Sequence, residues 1–70
     1  MPPESKTYAI TEVVGTSPVG IAEAIQNAVT TASGTLRNLD WFEMISVRGV
    51  IGNGGVSEYQ VTVKLGFRYE

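Results

Sequence analysis

The chain has 70 residues with no cysteine, no histidine, a single tryptophan and only five Lys+Arg against seven Asp+Glu. Each shortage excludes something. Without cysteine there is no disulfide framework, and without cysteine or histidine a structural zinc site has none of its ordinary ligands. The same absence removes a Ser-His-Asp triad, a thiolate nucleophile and the usual general base near neutral pH. Any catalysis would have to rest on carboxylates or lysine, so the expectation is a protein that is not an enzyme. A formal charge of −2 and a pI near 4.9 argue against a nucleic-acid partner. Such domains present dense cations, and here these are only Lys6, Arg37, Arg48, Lys64 and Arg68. No apolar run reaches the roughly 18 residues of a membrane span. The opening Met1-Pro2-Pro3-Glu4-Ser5-Lys6 lacks the charged and apolar regions of a signal peptide. A soluble, cytoplasmic protein with no membrane partner is expected.

Small size adds a constraint. Residues 1–70 read as one domain with a flexible N-terminus over 1–5. A domain this short buries about 60% of its unfolded surface, and its core rarely contributes more than about 3–5 kcal/mol. With disulfides and zinc excluded, self-association is the remaining source of stability.

What is present is patterned. Lys6 to Val14 is rich in β-branched and aromatic residues and reads as a strand ending at Gly15. Both its faces are mixed, so the pattern does not assign the buried one. Ser17 then suits an N-cap and Pro18 the first helical position. Ile21, Ile25, Ala28, Val29, Ala32 and Leu36 recur at three- and four-residue steps, predicting an amphipathic helix of about five turns. Leu39–Ile51 and Val56–Tyr69 are two long strand candidates joined by Gly52-Asn53-Gly54-Gly55, in which Asn-Gly signals a type I′ hairpin turn. With Asn53 and Gly54 as the turn, facing residues have numbers adding to 107. One face then collects Phe42, Met44, Val50, Tyr59, Val61, Val63, Leu65, Phe67 and Tyr69, and is the face expected under the helix. The other carries Trp41, Glu43, Ile45, Val47, Gln60, Thr62, Lys64 and Arg68. Together these elements predict an α+β fold, a β-α-β-β subunit whose three-stranded antiparallel sheet, order 1-3-2, wraps on one amphipathic helix. A helix of about 28 Å cannot cover strands of about 43 Å. The overhanging apolar hairpin invites a neighbouring subunit.

Trp41 is the anomaly, a large aromatic on the face away from the core. It suits either an interface anchor or a platform for stacking a planar ligand. Gln60 shares that face, opposite Val47 by the hairpin arithmetic. Its amide offers an acceptor and two donors to the edge of a heteroaromatic ring, although a strand glutamine is also an ordinary surface residue. Arg48 falls opposite Tyr59 on the core face, unless a β-bulge near Gly49, the favoured solution, rotates it out; the other solution is that it snorkels at the edge. Glu12, Glu43 and Glu58 are read as solvated carboxylates, and no metal site is expected.

Four stretches resemble one family. Val14-Gly15-Thr16-Ser17, Leu36 to Glu43, Val47-Arg48-Gly49 and Glu58 to Arg68 are similar, in order and spacing, to the dodecins, small flavin-binding proteins. The resemblance covers Lys6 to Glu70. It implies a homododecameric shell with flavins stacked in pairs between tryptophans of symmetry-related subunits, Trp41 being the stacking residue and Gln60 the holder of the pyrimidine edge. It associates Arg48 and Arg68 with the bound nucleotide or with other ligands of the shell, counts Val47 with the binding residues, and a phosphate would draw on Arg48 first, then Arg68 and Lys6. The expected ligand is FMN, with riboflavin or another flavin as alternatives, held for storage with its photochemistry quenched. A shell scaffold with weak or no flavin binding is the alternative.

Overall fold

The computed structural model describes residues 6–69, so the expected flexibility of residues 1–5 lies outside the described part. Strand β1 (Tyr8–Ser17), helix α1 (Ile21–Ala32), β2 (Leu39–Gly52) and β3 (Gly55–Arg68) follow in that order. The sheet order is β1-β3-β2 and both pairings are antiparallel, as the sequence predicts. Asn53 (φ 54°) and Gly54 (φ 80°) form the hairpin turn in the left-handed conformations that Asn-Gly tolerates.

Several boundaries differ from the sequence reading. β1 continues through Gly15 to Ser17, which pairs with Tyr59, so Pro18–Gly20 serve as the turn into the helix rather than as its first turn. Ser17 still helps that turn from the strand. Its buried hydroxyl accepts from the backbone N–H of Val19 (2.9 Å) and donates to Glu23 Oε1 (2.8 Å). The helix is 12 residues, not five turns, because beyond Ala32 the chain tightens into successive turns through Gly34.

Helix α1 packs on β1 and β3 through a stripe of alanines. Ala24, Ala28 and Ala32 are buried against Val61, Val63 and Leu65, with Val13, Ile25, Val29, Leu36 and Leu39 around them. Alanines suit this site because the backbones come close. A Cβ on Gly15 would stand 2.0 Å from the carbonyl oxygen of Ala24 and 2.7 Å from Ala28 Cβ.

The apolar hairpin overhangs the helix, as the two lengths predict, and it does so sideways as well as at the strand ends. β2 is an edge strand lying beyond the helix, so Phe42 and Met44, though on the helix side, are each half exposed. At about 1.5 Å per residue the helix spans about 18 Å, whereas 14-residue strands reach about 46 Å. The molecule measures 58 × 20 × 14 Å, with a radius of gyration of 14.8 Å against about 11 Å for a compact chain this long. An elongated subunit with an uncovered apolar strand has the features of one that buries its surface against copies of itself.

The hairpin register contains three irregularities that the arithmetic of facing residues could not supply. Asp40 and Ile45 are extra residues in β2, and Ser57 is extra in β3. The segment 46–50 therefore pairs one step out of the predicted register. Val47 faces Val61 on the helix side, Gln60 faces Arg48 rather than Val47, and Val50 moves to the far side opposite Glu58. A bulge does turn Arg48 outward. It arises from extra residues that bracket the segment, Ile45 and Ser57, not from Gly49.

Candidate functional site

The side of the sheet turned away from the helix carries Tyr8, Ile10, Glu12, Val14 and Thr16 on β1 and Gln60, Thr62, Lys64, Gly66 and Arg68 on β3. From β2 it takes Trp41, Glu43, Ser46 and Arg48. Trp41 is here because it pairs with Gly66 in the register that continues through Glu43 and Lys64, while the extra Asp40 just before it shifts Leu39 onto Phe67. Its indole lies directly over that glycine. A Cβ on Gly66 would stand 2.1 Å from Trp41 Cε2 and 2.2 Å from Cζ2. Gly66 itself is buried while the tryptophan remains 40% exposed, so one side of the ring is seated on backbone and the other is open. Sequence reasoning missed this seat. A glycine interrupting a central strand signals the close approach of another group, but only the pairing shows which group approaches.

Two further side chains gather around the indole. The Tyr8 ring lies beside it, with centroids 6.3 Å apart and planes 44° apart, and the Tyr8 hydroxyl donates to Asp40 Oδ2 at 2.8 Å. That hydrogen bond, reinforced by desolvation and by the negative charge of Asp40, pushes the phenol above the ordinary tyrosine range, while Arg68 pulls the other way. Arg68 pairs with Tyr8 across the β1–β3 ladder, and Lys6 lies exposed just ahead of β1, at the same end of the sheet.

Arg48 and Gln60 form a separate constellation. Arg48 Nε donates to Gln60 Oε1 at 2.8 Å, a contact that uses the amide oxygen and leaves the amide N–H groups and the terminal guanidinium nitrogens outside it. Six residues of β3 separate Gln60 from Gly66, about 20 Å at 3.3 Å per residue. Trp41 and Gln60 therefore share a face without sharing a site within one subunit. Three fused rings cannot bridge that distance. Val47, on the helix side, offers that outer face its backbone but not its side chain. Between the two constellations Lys64 lies in register with both Glu12 and Glu43, and no group of three potential metal ligands occurs among the described residues.

The concavities of the subunit do not provide the missing pocket. A groove of about 610 Å³ lies between α1 and β1, and a cleft of about 140 Å³ lies beside Leu39 and Phe42. Neither is lined by Gln60, Arg48 or Arg68.

Comparison with known proteins agrees with this architecture. The Dodecin family profile matches residues 7–70, and the Dodecin of Thermus thermophilus is 54% identical over 65 residues, 93% of this chain and 94% of the relative. The chain belongs to the dodecin family. Dodecins are small flavin-binding proteins, and solved dodecin structures superpose closely. The dodecin of Streptomyces coelicolor has a TM-score of 0.93 at 60% identity, covering 96% of both chains. That of Streptomyces davaonensis has a TM-score of 0.93 at 49% identity, covering 96% of this chain and 98% of its own. The β-α-β-β subunit with sheet order 1-3-2 is thus the dodecin fold, and no helix among the described residues is long and apolar enough to cross a membrane.

Proposed function

We propose that this protein is a non-enzymatic cytoplasmic flavin store, a homododecameric shell that stacks FMN in pairs between Trp41 side chains of neighbouring subunits and quenches their photochemistry. The observation that carries the proposal is the seat of the indole over Gly66, with its opposite side exposed on a sheet face away from the helix. An aromatic held in place on one side and open on the other is a stacking platform. Stacking adds only about 0.5–1.5 kcal/mol per pair beyond burial, whereas micromolar affinity needs about 8 kcal/mol. One platform on one subunit is therefore insufficient. A tryptophan-flavin-flavin-tryptophan sandwich covers both sides of each ring, and a neighbouring subunit brings its Gln60 and Arg48 across the 20 Å that separates them from Trp41 within the chain. An electron-rich indole in contact with the flavin quenches its excited state by electron transfer. A ring enclosed on both sides leaves no place for a substrate beside its reactive nitrogen, which suits storage and not turnover.

Titrating the protein with FMN should extinguish the flavin's emission, and Trp41→Ala should restore it, with affinity falling at least tenfold. Undiminished emission with the unaltered protein would reject this reading. The uncovered apolar side of β2 supports the alternative, a shell that assembles without flavin. A large particle on size exclusion that stays colourless in excess FMN would establish that alternative.

The phosphate is assigned to Arg48. Arg48→Ala should weaken FMN about tenfold and riboflavin about two- to threefold, the residual effect coming from the released Gln60 amide. Equal losses for both ligands in paired fluorescence titrations would remove the phosphate role.

A further inference from the structure

We propose that Tyr8 and Asp40 are positioning residues for the stacking platform, a brace that holds the Trp41 indole flat on Gly66. The inference rests on the flavin-stacking reading for its functional consequence, though not for its geometry.

Three observations converge on it. Asp40 is the extra residue of the bulge that immediately precedes Trp41, so whatever anchors Asp40 also sets the direction in which Trp41 leaves the strand. Asp40 is anchored by Tyr8, whose hydroxyl donates to Oδ2 at 2.8 Å across a sequence separation of 32 residues. Tyr8 belongs to β1 while Asp40 belongs to β2, and β3 lies between them. The hydrogen bond therefore bridges all three strands beside the row that contains Gly66, from Tyr8 in register with Arg68 to the extra residue Asp40. Finally, the Tyr8 ring stands beside the indole at a centroid distance of 6.3 Å and a 44° tilt, a wall at one edge of the platform.

The physical need for a brace follows from the seat. Glycine gives the indole a flat surface but no side chain to lock its χ angles, and the open side of the ring gives none either. A tryptophan free to swing would have to be ordered when a ligand stacks, and ordering a side chain weakens binding. Holding the ring beforehand removes that loss. A phenol is protonated throughout the neutral range, and the Asp40 hydrogen bond shifts Tyr8 further in that direction, so it stays a donor.

The test uses the assembled protein with FMN as probe, together with the fluorescence of Trp41, the only tryptophan. Tyr8→Phe keeps the ring and removes the hydroxyl, and is expected to weaken FMN roughly three- to tenfold without changing the size of the assembly. Asp40→Ala should weaken it similarly, Asp40→Asn, which retains an acceptor oxygen, should recover most of the loss, and the double variant Tyr8→Phe/Asp40→Ala should lose no more than either single one. In the ligand-free protein, red-edge-excited emission of Trp41 should show lower anisotropy in Tyr8→Phe and Asp40→Ala than in the unaltered chain. Unchanged anisotropy and FMN affinity in both variants would overturn the brace and leave the flavin reading standing. Lowered anisotropy in a protein whose unaltered form does not quench FMN would uphold the brace and reject the flavin reading.

Discussion

Gly15→Ala should destabilise the protein by about 2–4 kcal/mol, the largest loss expected from any single added methyl group. The reason is the nature of what the methyl group meets. Its Cβ would stand 2.0 Å from the Ala24 carbonyl oxygen, which is helix backbone, and 2.7 Å from Ala28 Cβ, which cannot rotate away. The helix must lift from the sheet, and with it the alanine stripe leaves Val61 and Val63, the centre of a core that among the described residues holds only six buried hydrophobic side chains. Urea unfolding at fixed protein concentration measures the effect, since an assembling protein's midpoint depends on concentration. Gly55→Ala is the control. Its Cβ would meet nothing within 4 Å, and the midpoint should move by less than about 0.5 kcal/mol. Equal midpoints for the two variants would show that the helix does not need its close approach at Gly15.

Gly66→Ala should have the opposite profile, a fold preserved and a site lost. The overlap is just as severe, 2.1 Å to Trp41 Cε2, but the obstructing group is a side chain with an exposed outer face that can swing outward. Backbone pairing of β3 with both neighbours is untouched by the change. FMN affinity should therefore fall at least tenfold, comparably to Trp41→Ala, although Gly66 lies behind the indole and touches no ligand. Urea midpoints should stay within about 1 kcal/mol of the unaltered protein. Quenching titrations and unfolding curves on the same preparation separate the two properties. Retained affinity would mean that the indole does not rest on this glycine when it stacks.

The pair of glycines shows why the two faces of this sheet do different work. Gly15 lets small helical side chains reach the sheet on one side, and Gly66 lets one large aromatic lie on it from the other. Both are buried, Gly15 on the edge strand β1 under the helix and Gly66 on the central strand β3, and in both the missing side chain is what permits the close approach. The same chemistry of close approach thus builds the core and the candidate site.

Much of this was legible in the chain. Alternation and β-branched content mark the strands, the Asn-Gly pair marks the turn, and the connectivity of strand, helix and hairpin leaves order 1-3-2 as the antiparallel solution. Phase counted back from the turn puts Trp41 on the side away from the helix, because the extra residues Ser57 in β3 and Ile45 in β2 cancel and return Trp41–Met44 to the register of the turn. The lack of cysteine and histidine determines which chemistries are closed whatever the fold. The readings of strands, turn and order succeed because they depend on local geometry and connectivity.

Only the tertiary structure decided the rest. Bulges at Asp40, Ile45 and Ser57 are properties of two strands matched against each other, so the partner of Arg48 and the side taken by Val47 could not be counted from one turn. The helix ends at Ala32 because the chain must turn back to enter β2, a demand that apolar periodicity does not express. Above all, Trp41 and Gln60 share a face by parity, yet six residues of extended chain hold them about 20 Å apart. Parity is written residue by residue, but distance along a strand becomes a constraint on function only when the strand is laid out straight. That is why the sequence determines which residues share the outer face of the sheet, and the folded subunit decides that no single copy brings Trp41 and Gln60 together.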